Sequence, residues 1–87
     1  MARYKLVFKK SVARDLRKID TAEIKRILVR LDALADAPRG QGCIKLSAQD
    51  RYRVRVGLYR IIYEIQDKQL IVVVVKVAHR SRVYKDN

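Results

Sequence analysis

The sequence is poor in several residue types, and each shortage excludes a class of protein. A single cysteine, Cys43, cannot form an intrachain disulfide, which excludes a disulfide scaffold and is typical of a reducing compartment. Three glycines and one proline, beside 49% hydrophobic residues, exclude a disordered chain. The longest apolar run, LIVVVVKV, is too short to span a bilayer, and the charged start MARYKLVFKK lacks the apolar core of a secretory signal. We therefore expect a cytoplasmic protein with no membrane association.

Acidic residues are also scarce, and this shortage points to the partner. The chain has 9 Asp and Glu against 21 Lys and Arg, a formal net charge of +12. That excess is larger than solubility requires, so an anionic partner is expected. Charge alone would also suit an anionic membrane surface or an acidic protein, but nucleic acid is the first candidate and no membrane partner is expected. At 87 residues the chain has room for one domain, residues 1–87.

The first half of the chain predicts one strand and two helices. Residues 3–9 alternate with the period of a half-buried strand. Ser11 offers an N-cap for a short amphipathic helix, and Asp20 with Glu23 resembles the capping box of a second. The second helix is expected to bury one continuous apolar stripe: Ile24, Ile27, Leu28, Leu31, Leu34 and Ala35.

The second half predicts strands, and Gly57 sets their register. Gly57 suits the first central position of a two-residue type II′ hairpin turn, with Leu58 as the second. Val56 then faces Tyr59 and Arg55 faces Arg60, and the pairing continues until Arg51 faces Glu64. Tyr52, Tyr59 and Tyr63 share an apolar face that the helices cover, whereas the other face carries four basic residues around Ile62: Arg51, Arg53, Arg55 and Arg60.

The run LIVVVVKV, after a turn at Asp67 and Lys68, lacks alternation and predicts a central strand. The fold class is therefore α+β. An N-terminal strand and two helices precede an antiparallel sheet of about four strands, and the helices pack on one face of the sheet.

The arginine face has two interpretations. Any one of these arginines is ordinary on a solvated surface. Four arginines on one face, with Arg55 directly opposite Arg60, favour a surface that binds phosphate. Arg80 and Arg82 follow near the end of the chain and add to this positive charge. Five cations in the first half are equally well explained as solvated side chains or as nonspecific contacts to ribosomal RNA: Lys5, Lys9, Arg14, Arg17 and Lys18.

Two segments, RYRVRVGLYRIIYEI and AHRSRVY, carry a resemblance to the RelE/ParE superfamily of toxins from toxin–antitoxin modules. The resemblance covers nearly the whole chain and implies the RelE-like microbial ribonuclease fold. RelE-like members are ribosome-dependent endoribonucleases that cut mRNA in the A site, whereas ParE-like members poison DNA gyrase. The resemblance further implies a cognate acidic, RelB-like antitoxin as partner, besides the ribosome and mRNA.

The RelE-like pattern carries over to this sequence residue by residue. The catalytic candidates it implies are Arg53, Arg55, Arg60, Arg80 and Tyr84. His79 is a candidate general acid, and further contacts to RNA or ribosome are expected from Arg51, Arg82 and Lys85. This sequence departs from the pattern in having Arg where the best-known relative has Lys at two sites, a shorter hairpin loop, and two residues fewer between Arg80 and Tyr84.

Such a set supports RNA cleavage with no metal and no cofactor, because the ribose 2′-hydroxyl supplies the nucleophile. Cations around Tyr84 favour its phenolate, so that it can act as the base. Arg60 and Arg80 would hold the scissile phosphate. Either His79 or Arg80 would protonate the leaving 5′-oxygen. The alternatives to this ribonuclease are a gyrase inhibitor of the same fold and a nucleic-acid-binding module without catalysis.

Overall fold

A computed structural model describes residues 3–46 and 50–79 of the chain. Within these residues one 3₁₀ turn, Asp67–Gln69, accompanies the following helices and strands: β1 (Lys5–Phe8), α1 (Lys10–Arg17), α2 (Thr21–Asp36), β2 (Ile44–Lys45), β3 (Arg51–Val56), β4 (Tyr59–Gln66) and β5 (Ile71–His79).

The strands form one sheet in the order β1-β5-β4-β3-β2. The α+β class is confirmed, and β5 lies inside the sheet as predicted. The sheet differs from the expected antiparallel one in two ways, because β2 adds a fifth strand and β1 runs parallel to β5. Parallel neighbours require a long crossover connection. All the other described helices and strands lie between β1 and β5 in sequence and form this connection. The N-terminal strand therefore pairs with the last strand of the described chain.

The β3–β4 hairpin has the register that Gly57 predicts. Arg51 pairs with Glu64, Arg55 with Arg60 and Val56 with Tyr59. Gly57 has φ of +59°, and Leu58 does not share a positive φ, since among the described non-glycine residues only Leu70 does. This combination matches a type II′ turn, whose first central position favours glycine.

The helix boundaries correct two details of the prediction. α1 begins at Lys10 with Lys9 as its N-cap, so Ser11 lies inside the helix rather than at its cap. Asp20 does occupy the N-cap of α2, but its side chain makes no capping hydrogen bond, and the backbone N–H of Glu23 is bound by the carbonyl oxygen of Asp20 instead. The capping box is therefore not formed. Neither helix is long and apolar enough to cross a bilayer, and the described ranges contain no other α-helix.

The core lies between the two helices and the sheet face that carries Ile61, Tyr63, Val72 and Val74, and α1 contributes Val12 to it. Most of the predicted stripe on α2 is buried: Ile27, Leu31, Leu34 and Ala35. Of the other two residues, Ile24 is half-buried and Leu28 has 49% of its surface exposed. A helical residue is rotated by about 100° from its neighbour, so a stripe centred on Ile27 and Leu31 leaves Leu28 at its margin.

Candidate nucleic-acid interface

The open face of the sheet gathers the basic side chains of three strands. Residues directly opposed across a ladder share a face. Arg53 pairs with Ile62, and Ile62 in turn pairs with Lys76 of β5. Arg60 pairs with both Arg55 and Ala78. The arginine face predicted from the hairpin register is therefore present. Lys76 belongs to this face by its pairing with Ile62, although its side chain reaches Asp15 of α1 at the edge of β5 and also lines the cavity beside His79. Lys76 was missed because nothing in a valine-rich run shows which face its one lysine occupies.

Two of the cations on this face have acidic partners. Arg51 Nε lies 2.9 Å from Glu64 Oε2, and the two side chains are 37% and 30% exposed. Lys76 Nζ lies 3.7 Å from Asp15 Oδ1 at the neighbouring helix α1. Asp15 also accepts a hydrogen bond from the backbone N–H of Val77, so it is held at the edge of β5. Arg51 and Lys76 are thus partly neutralised.

Arg53, Arg55 and Arg60 have no acidic partner among the residues that the structure describes. Arg55 is exposed and directly opposite half-buried Arg60. Arg60 Nε is buried without a hydrogen-bond partner in the described part of the chain. Opposed like charges and an unsatisfied buried donor both destabilise a sheet, and an anion lying between the guanidinium groups would remove both costs.

His79, the candidate general acid, lies on the other face of the sheet. It pairs with Tyr59, and the two rings meet edge to face with centroids 5.4 Å apart. Tyr59 packs against the core. His79 lines a cavity of about 580 Å³ together with Asp15, Lys18 and Tyr59. The fold therefore does not bring His79 to the arginines.

Four predicted site residues lie outside the described residues: Arg80, Arg82, Tyr84 and Lys85. Their roles stay predictions. Within residues 3–46 and 50–79, no three His, Cys, Asp or Glu side chains form a group that could hold a metal ion.

The tyrosines of the hairpin belong to the packed side of the sheet, as predicted. Tyr63 is fully buried, and its hydroxyl donates to the carbonyl oxygen of Pro38 at 2.6 Å. Burial raises the pKa of Tyr63 far above its usual value. Tyr52 stacks on Tyr63 with ring centroids 5.8 Å apart. None of these rings lies on the arginine face to stack against a base.

A second polar cluster connects three loops and was missed by the sequence analysis. Arg39 donates to both carboxylate oxygens of Asp67, at 3.0 and 2.8 Å, and to the Tyr52 hydroxyl at 3.1 Å. The Tyr4 hydroxyl donates to Asp67 at 2.7 Å. Arg39 and then Tyr4 lower the pKa of Asp67 to about 2. The partners are 28 and 63 residues apart, and no local pattern signals such contacts.

Known proteins resemble this chain over most of its length. A family model described as the ParE toxin of the type II toxin–antitoxin system parDE matches residues 6–84. A curated protein named as RelE-like, from Escherichia coli, is 28% identical over 82 residues, which are 92% of this chain and 86% of that protein.

Two solved structures share both fold and sequence with it. A chain of the archaeal RelE–RelB complex from Pyrococcus horikoshii is 30% identical with a TM-score of 0.82, and the match covers 93% of this chain and 99% of that one. A chain of the RelBE2 toxin–antitoxin complex from Mycobacterium tuberculosis is 28% identical with a TM-score of 0.77, covering 93% and 95%.

Proposed function

The chain belongs to the RelE/ParE superfamily of toxins from type II toxin–antitoxin systems, and from that premise we propose that it halts translation by cutting messenger RNA in the ribosomal A site. The observation that carries the proposal is the group of three arginines, Arg53, Arg55 and Arg60, on one open sheet face without acidic partners among the described residues. Guanidinium groups match phosphate oxygens in bidentate geometry, so this face suits an RNA backbone. Action on ribosomes would place the protein in the cytoplasm.

The proposed cleavage is an attack of the ribose 2′-oxygen on the adjacent phosphorus. A bond from that oxygen to phosphorus forms while the bond to the 5′-oxygen breaks, so a base must take the 2′ proton and an acid must protonate the leaving oxygen. Arg53, Arg55 and Arg60 would stabilise the charge on the phosphorane-like transition state. This step needs no metal ion or cofactor.

The general base and the general acid of this reaction are assigned from the superfamily resemblance. Tyr84 would act as the general base, since neighbouring cations favour its phenolate, and Arg80 would hold the scissile phosphate beside Arg60. Because His79 lies on the helix-covered face, we assign the leaving-group proton to Arg80, the other candidate.

We further propose a cognate acidic antitoxin of the RelB type. The matched chains from Pyrococcus horikoshii and Mycobacterium tuberculosis are parts of toxin–antitoxin complexes. A net charge of +12 suits a partner with an acidic, partly disordered segment that orders on binding.

The test is cleavage of a defined message on purified ribosomes. We expect the chain to cut in the A site and to leave a 2′,3′-cyclic phosphate or 3′-phosphate with a free 5′-hydroxyl. A message with a 2′-O-methyl group at the target nucleotide is the matched control and should stay intact. Cutting of the methylated message would rule out the proposed attack, and an intact unmethylated message would rule out the ribonuclease.

One observation favours a second candidate function. The matching family model is that of ParE toxins, for which the superfamily resemblance implies DNA gyrase as the target. The two functions differ in which synthesis stops first after induction in cells. Early loss of amino-acid incorporation supports the ribonuclease, whereas early loss of thymidine incorporation supports the gyrase inhibitor.

A further inference from the structure

The end of β5, residues 76–79, is held differently from the rest of the strand. β1 pairs with β5 only as far as Val74. On the other side, the β4–β5 register shifts between Ile62 and Tyr63, which leaves Val75 as an extra residue in a β-bulge. Among the described strands, only β4 pairs with β5 beyond this bulge. Residues 76–79 therefore have one paired edge and one edge without a strand.

Asp15 of α1 binds the edge that has no strand. Its Oδ2 accepts a hydrogen bond from the Val77 N–H at 3.2 Å, and its Oδ1 lies 3.7 Å from Lys76 Nζ. The Asp15 side chain is only 17% exposed. α1 and this part of β5 both line the cavity of about 580 Å³ beside His79, so the packing between them is incomplete. Asp15 therefore supplies a polar link between the helix and the end of the strand.

Helix propensity does not account for an aspartate at this position. Asp15 lies in the last turn of α1, where the helix dipole favours cations and disfavours a carboxylate. Arg14 and Arg17, in the same turn, follow that preference. The carboxylate is stabilised instead by its contacts to β5, which are a charge-assisted hydrogen bond and an ion pair.

We propose that Asp15 is a positioning residue for the proposed RNA cleavage, because its hydrogen bond to the Val77 N–H fixes the end of β5 against α1. The inference rests on the proposed function. Two arginines assigned to the phosphate depend on this end of the strand. Arg60 pairs with Ala78, and Arg80 is the first residue after β5 in sequence. A shift of the strand end would displace both arginines from the scissile phosphate.

The hydrogen bond from Val77 to Asp15 acts on position more than on stability. Val77 is 2% exposed and belongs to the core, so the strand stays packed without Asp15. The neighbouring cavity also has room for a water molecule that would accept the hydrogen bond in place of the carboxylate. A water satisfies the N–H but does not connect it to α1.

The test is single-turnover cleavage of a ribosome-bound message by variants of the full chain. Asp15→Ala removes the acceptor and should lower the rate at saturating ribosomes by about tenfold or more, since a misplacement of ~1 Å can cost roughly 10² in rate. The ribosome concentration at half-saturation should stay within about twofold of wild type. Asp15→Asn keeps an oxygen acceptor for the Val77 N–H and should restore the rate to within about threefold of wild type.

Asp20→Ala is the matched control, because it removes an exposed aspartate that makes no capping hydrogen bond. Its cleavage rate should equal that of wild type. A second readout needs no cleavage. Hydrogen exchange of the Val77 amide in the free protein should be about tenfold faster or more in Asp15→Ala, because its hydrogen bond to the carboxylate is lost. Asp15→Asn should keep most of the protection.

Full activity of Asp15→Ala would overturn the proposal, and so would unchanged exchange at Val77. A rate of Asp15→Asn as low as that of Asp15→Ala would mean that the charge, not the hydrogen bond, matters. A loss of melting temperature in Asp15→Ala as large as that of a core truncation would make Asp15 a structural residue. Wild type that cuts no message is a failure of the proposed function, whereas wild type and Asp15→Ala that cut equally well are a failure of the positioning role alone.

Discussion

At the scale of single residues, the pairing of Arg55 with Arg60 carries an energetic cost that an anion would remove. Opposed residues in an antiparallel pair have Cβ atoms about 4.5–5.5 Å apart, and here both carry a positive charge. Arg60 Nε is also buried without a hydrogen-bond partner in the described chain. A phosphate oxygen between the two guanidinium groups would relieve both costs, and that relief would add to the affinity for phosphate.

Tyr84→Phe tests the proposed general base. The substitution removes the ionisable hydroxyl and little else, so ribosome binding and thermal stability should be kept. Loss of general base catalysis typically lowers a rate by ~10² to 10⁴, which single-turnover cleavage of a ribosome-bound message can measure. A fully active Tyr84→Phe variant would mean that another group takes the 2′ proton.

Asp67 should make stability depend on pH in the acid range. Its pKa is about 2 in the folded protein, from an ordinary value of 3.8, because Arg39 and then Tyr4 bind the carboxylate. A lowered pKa stabilises the fold above the unfolded value, and this contribution is lost as pH falls from about 4 towards 2. Asp67→Asn should remove that part of the acid dependence in urea unfolding measured from pH 5 to pH 2.

Arg39→Gln is the matched variant, because it removes the principal cause of the lowered pKa and should reproduce the effect of Asp67→Asn. An acid dependence in both variants identical to that of wild type would show that the cluster is not formed in solution.

At the scale of elements, α2 has two apolar surfaces with different roles. One packs Ile27, Leu31 and Leu34 into the core, and the other leaves Val29 and Ala33 exposed. A helix that only covered a sheet would carry polar residues on its outer side. Val29 is 71% exposed, so its side chain contributes little to the stability of the domain.

Two leucine truncations on α2 should separate these surfaces. Leu31 is fully buried, so Leu31→Ala should lower the free energy of unfolding by about 2–5 kcal/mol. Leu28 is 49% exposed, so Leu28→Ala should cost less than about 1 kcal/mol. Urea denaturation measures both, and comparable losses would mean that Leu28 is buried as the sequence pattern predicts.

At the scale of the whole molecule, a net charge of +12 could attract RNA either as a diffuse electrostatic field or through contacts of particular residues. The negative charges are not spread evenly. Asp15 and Glu64 neutralise Lys76 and Arg51, while the three central arginines have no acidic partner in the described ranges. We therefore expect local contacts to dominate RNA binding.

Salt dependence distinguishes local contacts from a general field. Alanine at Arg53, Arg55 or Arg60 should each reduce the slope of log affinity against log salt by about one unit for a labelled single-stranded RNA. Arg17→Ala removes the same charge from the exposed end of α1 and should change the slope much less. An equal effect of Arg17→Ala would mean that net charge alone drives binding.

The sequence by itself determined the hairpin and its two faces. Strand side chains alternate with a period of two, and a two-residue loop at Gly57 permits one pairing, so Arg55 had to face Arg60. The separation of the arginines from Tyr52, Tyr59 and Tyr63 follows from the same rule. The position of His79 does not follow from this rule, because its pairing with Tyr59 depends on the β4–β5 register, which is shifted between Ile62 and Tyr63.

Tertiary structure alone decided the features that join distant parts of the chain. These are the parallel pairing of β1 with β5, the pairing of His79 with Tyr59, the exposure of Leu28 and the Lys76–Asp15 pair. Local periodicity states which side of an element is apolar, but not which other element will cover it. Which element covers an apolar side depends on how the whole domain packs. Two helices cannot cover every apolar residue of the sheet, so some apolar residues stay exposed.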